Sequence, residues 1–317
     1  MIIDTATRVW TGPDPWPDRS EPQEGPVRQT AYSFPPHSPE AHLLAMHCVD
    51  GAFVLGYRSC RGGIDHPLEM IMAFVHEDPD RRFAVAGIDP LSDAPISDVE
   101  RAMHAGAVGV TIAPADCACR PTHDRCMEVL RFCARRRLPV FVSNPGIARP
   151  LSVLEFANPA LFDEPLREIP SLRIVFCDMG CAFLAETLLM LAKHPGAFAS
   201  TAALASRPGA LRTALRDAHE RGVADKVLFG SGFPRCTPQV AIERMYRAAA
   251  FRPGPADDGA GSIPREVVRR IIERNVMDVL GLDVPPPPPR AARGDSGDEH
   301  DVLAPGEEAW NARELRP

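Results

Sequence analysis

Six cysteines stand where an apolar run has just ended. Cys60 follows residues 51–57, Cys117 and Cys119 follow residues 108–112, Cys177 closes residues 173–177 with Cys181 just beyond it, and Cys236 follows residues 226–230. If those runs are parallel strands of one barrel, all of these thiols lie towards the C-terminal face, where barrel enzymes place their chemistry. His66 and His123 are expected to begin helices on that face. Thiolates with imidazoles there could hold zinc or iron, and a single activated cysteine could act as a nucleophile. The opposing reading is that these are small core-filling side chains. A Cys-x-Cys pair with other ligands drawn from distant loops is a weak metal signature. Nine cysteines in all, an odd number at irregular spacing, do not describe a disulfide framework and point to a reducing cytoplasm.

The polar residues Arg8, Arg58, Ser143, Asn144, Asp178 and Ser200 fall at or just after the ends of the same runs, so they are the candidates to touch a ligand. Arg8 is a permanent cation without an acceptor. Removing the partner of such a buried charge costs roughly 3–5 kcal/mol. Asp178 and Asp4 are the candidate carboxylates, and the expectation is an Arg8–Asp178 pair; otherwise Arg8 turns towards an anionic ligand. His42 and His47 lie on or beside the first helix. His104, His194 and His219 sit near helix ends, where an imidazolium suits the helix dipole. Asp89 before Pro90 shapes a turn, and the arginines at 135–137 form a solvated helix end.

The elements that must position these residues alternate. Short, mostly apolar runs are predicted as strands at 1–9, 51–57, 83–88, 108–112, 139–143, 173–177, 197–201 and 226–230, as expected of parallel strands buried on both faces. Helices are predicted at 39–48 (capped by Ser38), 66–77 (capped by Asp65), 97–105, 122–137, 182–194, 208–221, 238–249 and 264–280, with broken helical segments at 151–167. Eight strand–helix repeats fit a (β/α)8 TIM barrel; a doubly wound open sheet fits periodicity alone equally well. Proline concentrates at 12–39 and from 285 onward. The segment 11–38 is therefore a long loop, partly anchored by Trp10 and Trp16, and 284–317 is a disordered proline-rich, acidic tail behind a barrel domain at 1–283.

Several stretches resemble the amidohydrolase superfamily, in its amidohydrolase-related branch of metal-dependent hydrolases and decarboxylases. The opening Ile3-Asp-Thr-Ala-Thr-Arg8 is similar to that family's Ile-Asp-x-His-x-His strand. His76-Glu-Asp-Pro-Asp-Arg-Arg-Phe83 with Gly87 to Pro90, Leu138 to Val142, Leu172 to Gly180, Lys226-Val-Leu-Phe-Gly-Ser-Gly-Phe-Pro234 and Asn275 to Leu282 resemble further family passages in the right order. The resemblance implies the TIM barrel. It also implies a divalent metal held by two histidines of the first strand, a histidine of the fifth or sixth strand and an aspartate of the eighth. Those places here hold Ala6, Arg8, Ser143, Asp178 and Gly232. The aspartate that would take the proton from metal-bound water is the missing side chain of Gly232. A metal-held water reaches a pKa of about 7 only where enough ligands hold the ion, so the usual mechanism is expected to be absent.

Composition excludes further classes. A net charge of −7 gives no reason for nucleic-acid binding, and no apolar run approaches a membrane span. The first residues lack a basic segment followed by an apolar one, so no signal peptide is expected. The sequence therefore predicts a cytoplasmic barrel that has lost the family metal site and binds a small ligand or supports a partner. That partner could be a second copy or an active relative. The alternative is a hydrolase or decarboxylase of a small carboxylated or cyclic substrate, either metal-free or with zinc or another divalent metal relocated to Asp178, Cys117, Cys119, Cys177, Cys181 and Cys236.

Overall fold

The computed structural model describes residues 1–10, 38–145, 147, 149–250 and 262–288; the segment 11–37, with Trp16, and the tail beyond 288 lie outside them. In chain order the strands are β1 (Ile3–Thr7), β2 (Gly51–Leu55), β3 (Arg58–Ser59), β4 (Ile64–Asp65), β5 (Arg82–Gly87), β6 (Gly109–Ile112), β7 (Val140–Val142), β8 (Ile174–Phe176), β9 (Ala197–Ser200) and β10 (Val227–Leu228). Eight of them form one parallel sheet in the order β1-β2-β5-β6-β7-β8-β9-β10, while β3 and β4 make a small antiparallel hairpin. The helices are α1 (Pro39–Ala45), α2 (Leu68–His76), α3 (Pro95–Ala105), α4 (Pro114–Cys117), α5 (Asp124–Arg135), α6 (Asp163–Glu168), α7 (Leu184–Lys193), α8 (Pro208–Glu220), α9 (Pro238–Ala250), α10 (Arg265–Ile272) and α11 (Val276–Leu280). This is the predicted eight-fold alternation curled into a nearly closed TIM barrel.

The first and last strands meet through hydrogen bonds beyond the short β10. Thr5 N and Oγ1 donate to Phe229 O at 3.0 and 2.7 Å, Gly232 N donates to Ala6 O at 3.0 Å, and Arg8 N donates to Phe233 O at 3.1 Å. Asp4 adds a side-chain tie, its Oδ1 accepting from Ser231 N at 3.0 Å and from Ala6 N at 3.1 Å. Inside the barrel Phe53 lies 5.4 Å from Phe83 and 5.7 Å from Phe141, ring centre to ring centre. Burying each ring stabilises the fold by about 1.5–3 kcal/mol. The bottom of this interior is plugged by Val276, Met277 and Leu280 of α11. On the outside, His42 of α1 is hydrogen-bonded to Thr7 Oγ1 at 2.9 Å and meets Phe74 and Phe233 edge-on.

Three boundaries differ from expectation for identifiable reasons. Asp65 does not cap a helix: it pairs with Arg58 across the β3–β4 hairpin, and α2 begins at Leu68 after Pro67. The single closing helix is two, because the Asn275 side chain accepts from Met277 N and so caps a new helix, α11. The barrel also runs slightly past 283, with Val284 packed against the interior cluster and Pro287 buried beside Gly51. Ser38 caps α1 as expected, accepting from Ala41 N. Trp10 lies against His66 with ring centres 4.8 Å apart and the planes tilted by 35°.

Asp4 generates a pH prediction. Among the described residues its Oδ2 is buried without a partner, and burial pushes its pKa from 3.8 up to about 6. A carboxyl with a folded pKa above the unfolded one contributes stability that is complete below pH 3.8 and is lost as pH rises through about 6. Buried His42, lowered to about 3, titrates in the opposite sense and is common to both proteins below, so it drops out of their difference. We expect the stability of the wild type minus that of Asp4→Asn to fall by on the order of 3 kcal/mol between acid and neutral pH. Denaturant melts across that range would check it, and parallel curves would refute it.

Candidate active site

Strand alternation decides which side chains crown the interior. Val110, Ile112, Val140, Val142, Ile174, Phe176, Ala197 and Ala199 belong to the layer between sheet and helices, whereas Phe141, Val175, Cys177 and Phe198 belong to the interior. By the same two-residue period Thr111, Ser143 and Ser200 face inward. Arg8, next after β1, reaches across this ring. Its Nη2 donates to Ser143 Oγ at 2.7 Å. Among the described residues its Nε, sealed from solvent, has no partner, and neither do the buried Ser200 Oγ and Thr111 Oγ1.

The expected Arg8–Asp178 ion pair is not formed: among the described residues Arg8 has no carboxylate at ion-pair distance. Asp178 acts on it only through space, as do Cys177 and Tyr57, while Arg235 opposes them and burial outweighs all, lowering the guanidinium's pKa. The cause is local backbone. Asp178 and Met179 both sit in the left-handed region, at φ 55° and 49°, followed by Gly180 at 77° and Cys181 at 61°. That turn carries the Asp178 carboxylate to Ala203 N, which donates to its Oδ1 at 2.7 Å. A proton stays on Cys177, whose pKa burial raises to about 12 despite Arg8, Ser200 and Ser143.

The other candidates are placed differently. Arg58 is held on the rim, Nη1 to Asp98 Oδ2 at 2.8 Å and Nε to Asp65 Oδ2 at 3.6 Å. Asn144 engages its carbonyl oxygen with Ala115 N at 2.8 Å, tying the end of β7 to α4. His123 caps α5 through Arg125 N, and His66 bonds to Val9 O. Asp89 shapes its turn as expected, accepting from Leu91 N and Cys60 N at 2.8 Å each. Cys117, Cys119 and Cys236 are buried in the packing layer, and burial raises the pKa of Cys117, of Cys236 (to about 11) and of Cys181. Sequence reasoning missed a neighbouring group: Tyr57 Oη and Ser152 Oγ donate to the two oxygens of Asp116 at 3.0 and 2.6 Å. Thr111 was also missed, although its place between two outward-facing residues of a strand was readable.

The sequence matches the family model described as "Amidohydrolase" over residues 3–282. No curated protein matches it. Similar solved structures include an uncharacterized TIM-barrel protein from Bordetella bronchiseptica (19% identity, TM-score 0.67, covering 88% of this chain and 98% of that one). A 5-carboxyvanillate decarboxylase from Sphingomonas paucimobilis is similar at 14% identity and TM-score 0.61, covering 89% and 99%. A dihydroxybenzoic acid decarboxylase from Polaromonas sp. JS666, with bound manganese and 2-nitroresorcinol, is similar at 14% identity and TM-score 0.57, covering 88% and 96%.

The positions that would correspond to a metal centre do not fit a divalent ion. Ala6 and Gly232 have no donor atom, Arg8 brings a positive charge, Ser143 Oγ accepts from that charge, and Asp178 is turned to Ala203. Among the described residues no three His, Cys, Asp or Glu side chains come together as a set that could hold an ion, the cysteines included. Gly232 has φ 72°, and a Cβ on it would lie 2.6 Å from Ala203 N, a backbone atom. Restoring an aspartate there therefore collides with the main chain. We expect Gly232→Asp to destabilise the fold by about 2–5 kcal/mol, from overpacking plus left-handed strain. Denaturant midpoints check this, and a variant as stable as the wild type would refute it.

Proposed function

The chain belongs to the amidohydrolase family, and from that premise we propose that it acts without the family's metal-bound water, as a non-catalytic receptor for a small carboxylate. The observation that carries this reading is Arg8: a cation at the crown of the barrel whose Nε is buried and, among the described residues, unpartnered, and whose Nη2 donates to a neutral serine. A buried charge of this kind is stabilised by an anion that supplies the missing acceptor, and a guanidinium presents its donors as a fork that matches a carboxylate. The unpartnered hydroxyls of Ser200 and Thr111 add neutral donors on the same ring. Relatives of similar fold carry names of carboxylated rings, 5-carboxyvanillate and dihydroxybenzoic acid, which is the class of ligand we infer here.

The proposal gives each residue a binding role only. Arg8 neutralises and orients the carboxylate, Ser143 fixes the guanidinium plane, and Ser200 and Thr111 complete the acceptor's hydrogen bonds. Cys177, kept as a thiol, fills space beside them. On the same reading the protein is cytoplasmic and pairs with a second copy or with an active relative through the helices around the barrel.

Calorimetric titration of the purified chain with benzoate and 2,6-dihydroxybenzoate tests this. We expect binding without added metal, unchanged by EDTA or Mn²⁺, and weakened at least about tenfold in Arg8→Gln, since a hydrogen bond to a charged group is worth about 1.5–3 kcal/mol. Elemental analysis should find no stoichiometric metal. Binding that needs metal, or that survives Arg8→Gln, would overturn the proposal. Metal-free release of CO2 or hydrolysis with the same Arg8 dependence would instead establish the enzymatic alternative, a decarboxylase or hydrolase without a metal.

A further inference from the structure

Four cysteines form a group of their own outside the ring around Arg8. Cys117, Cys119, Cys126 and Cys133 are buried in the layer between sheet and helices, none more than 2% exposed. Local backbone brings two of them into contact. α4 ends at Ala118, in the left-handed region at φ 51°, and Cys119 N folds back to donate to Pro114 O at 2.9 Å. The chain then turns again, His123 N donating to Arg120 O at 2.9 Å, and His123 caps α5. This double turn lays Cys119 against the first turn of α5, where Cys126 sits, and the two thiols are hydrogen-bonded to each other. Cys133 lies two helical turns further along α5. Cys117 and Cys133 act on Cys126 only through space. Among the described residues no metal-holding set forms here. Two thiols in contact need only a short approach to reach the roughly 2.05 Å of an S–S bond.

We propose that Cys119 and Cys126 are an oxidisable pair, which hydrogen peroxide converts to a disulfide that pins α4 to the start of α5. This is independent of the reading of Arg8. The pair is asymmetric. The hydrogen bond from Cys126, with Arg125 nearby, holds the Cys119 thiol below its ordinary range against burial and Asp89, whereas Cys126 is pushed up. Cys119 is therefore the sulfur that attacks first, since the thiolate is the nucleophile. It gives up its proton and bonds to one peroxide oxygen; the O–O bond breaks, and the other oxygen leaves as water with that proton. Cys126 then attacks the sulfenic sulfur of Cys119. The S–S bond forms, the S–O bond breaks, and hydroxide leaves as a second water with the Cys126 proton. Two thiols are oxidised and one peroxide is reduced to two waters. Burial selects this oxidant, because a molecule the size of water reaches a sealed thiol that a bulky disulfide does not. The consequence falls on α4, which carries Asp116, the acceptor for Tyr57 and Ser152, and Ala115, the donor to Asn144. The bond stiffens the helix that joins these loops.

The test treats the reduced, folded full chain with hydrogen peroxide, then unfolds it, alkylates the free thiols and digests it with trypsin. Cleavage after Arg125 separates the two cysteines, so a bond between them is read as a linked pair of peptides. That pair should appear in the wild type, in Cys117→Ser and in Cys133→Ser, lighter by two hydrogens than its reduced parts, and dithiothreitol should abolish it. Cys126→Ser should stop at a Cys119 sulfenic acid, trapped by dimedone, and Cys119→Ser should give neither product. Circular dichroism confirms that each variant is folded, and amide exchange over 114–126 should slow in the oxidised wild type. A link that forms only in urea, a link between other cysteines in place of this one, or dimedone labelling of Cys126 rather than Cys119 would overturn the proposal.

Discussion

The structure around the barrel mouth is governed by a charge that cannot be shed. Arg8 stays protonated at any accessible pH, yet its Nε is buried and burial works against the cation. In most folds a carboxylate would neutralise it. Here the candidate, Asp178, is held by Ala203 N in a left-handed turn. What remains is a ring of neutral groups, Ser143, Ser200, Thr111 and the Cys177 thiol, which can share hydrogen bonds with a guanidinium or with its ligand but cannot cancel its charge. That imbalance is tolerable only if the rest of the barrel is rigid enough to hold it, or if an anion relieves it.

Rigidity comes from below and from the seam. The Phe53, Phe83 and Phe141 rings fill the interior beneath the ring of polar groups, and α11 closes the floor. At the seam, β1 is bonded to the segment 229–233 through both backbone and side chains, so the strand bearing Arg8 has little freedom to swing outward. Gly232 belongs to this closure. Its positive φ and its contact with the main chain of Ala202 and Ala203 let the seam pack tightly against the turn that holds Asp178. Glycine at this place is therefore more than a missing acid: the same packing that closes the barrel leaves no volume for a side chain.

Much of this was legible in the sequence, and the failures share a cause. Short, mostly apolar runs located all eight barrel strands, because parallel strands are buried on both faces and admit few polar residues. The inward positions of Ser143, Cys177 and Ser200 follow from period two once the strands are known. The sequence could not place Asp178, because its direction depends on consecutive left-handed residues, and non-glycine residues give little warning of that conformation. It also misjudged Asp65, which looks like a helix cap but belongs to a two-residue hairpin, and it could not foresee the partners of Arg58 and Asn144, since Asp98 and Ala115 are distant in sequence. The cysteines were read as a face because each follows a strand. Three of the six, Cys117, Cys119 and Cys236, instead turn into the packing layer.

One physical theme links the substituted positions. A divalent ion at the top of a barrel is a compact positive charge surrounded by anionic or neutral donors. In this chain the positive charge is covalent, delivered by Arg8 from the first strand, and the acids that would surround a metal are gone or turned aside. On the proposed reading the field that an anionic ligand meets keeps its sign without an open coordination position. Polarising a bound water needs that position, whereas holding a carboxylate needs only the sign and the fork of donors. Keeping the barrel, its seam and its glycine turns while exchanging an ion for a guanidinium is what retaining recognition without metal-bound water would require.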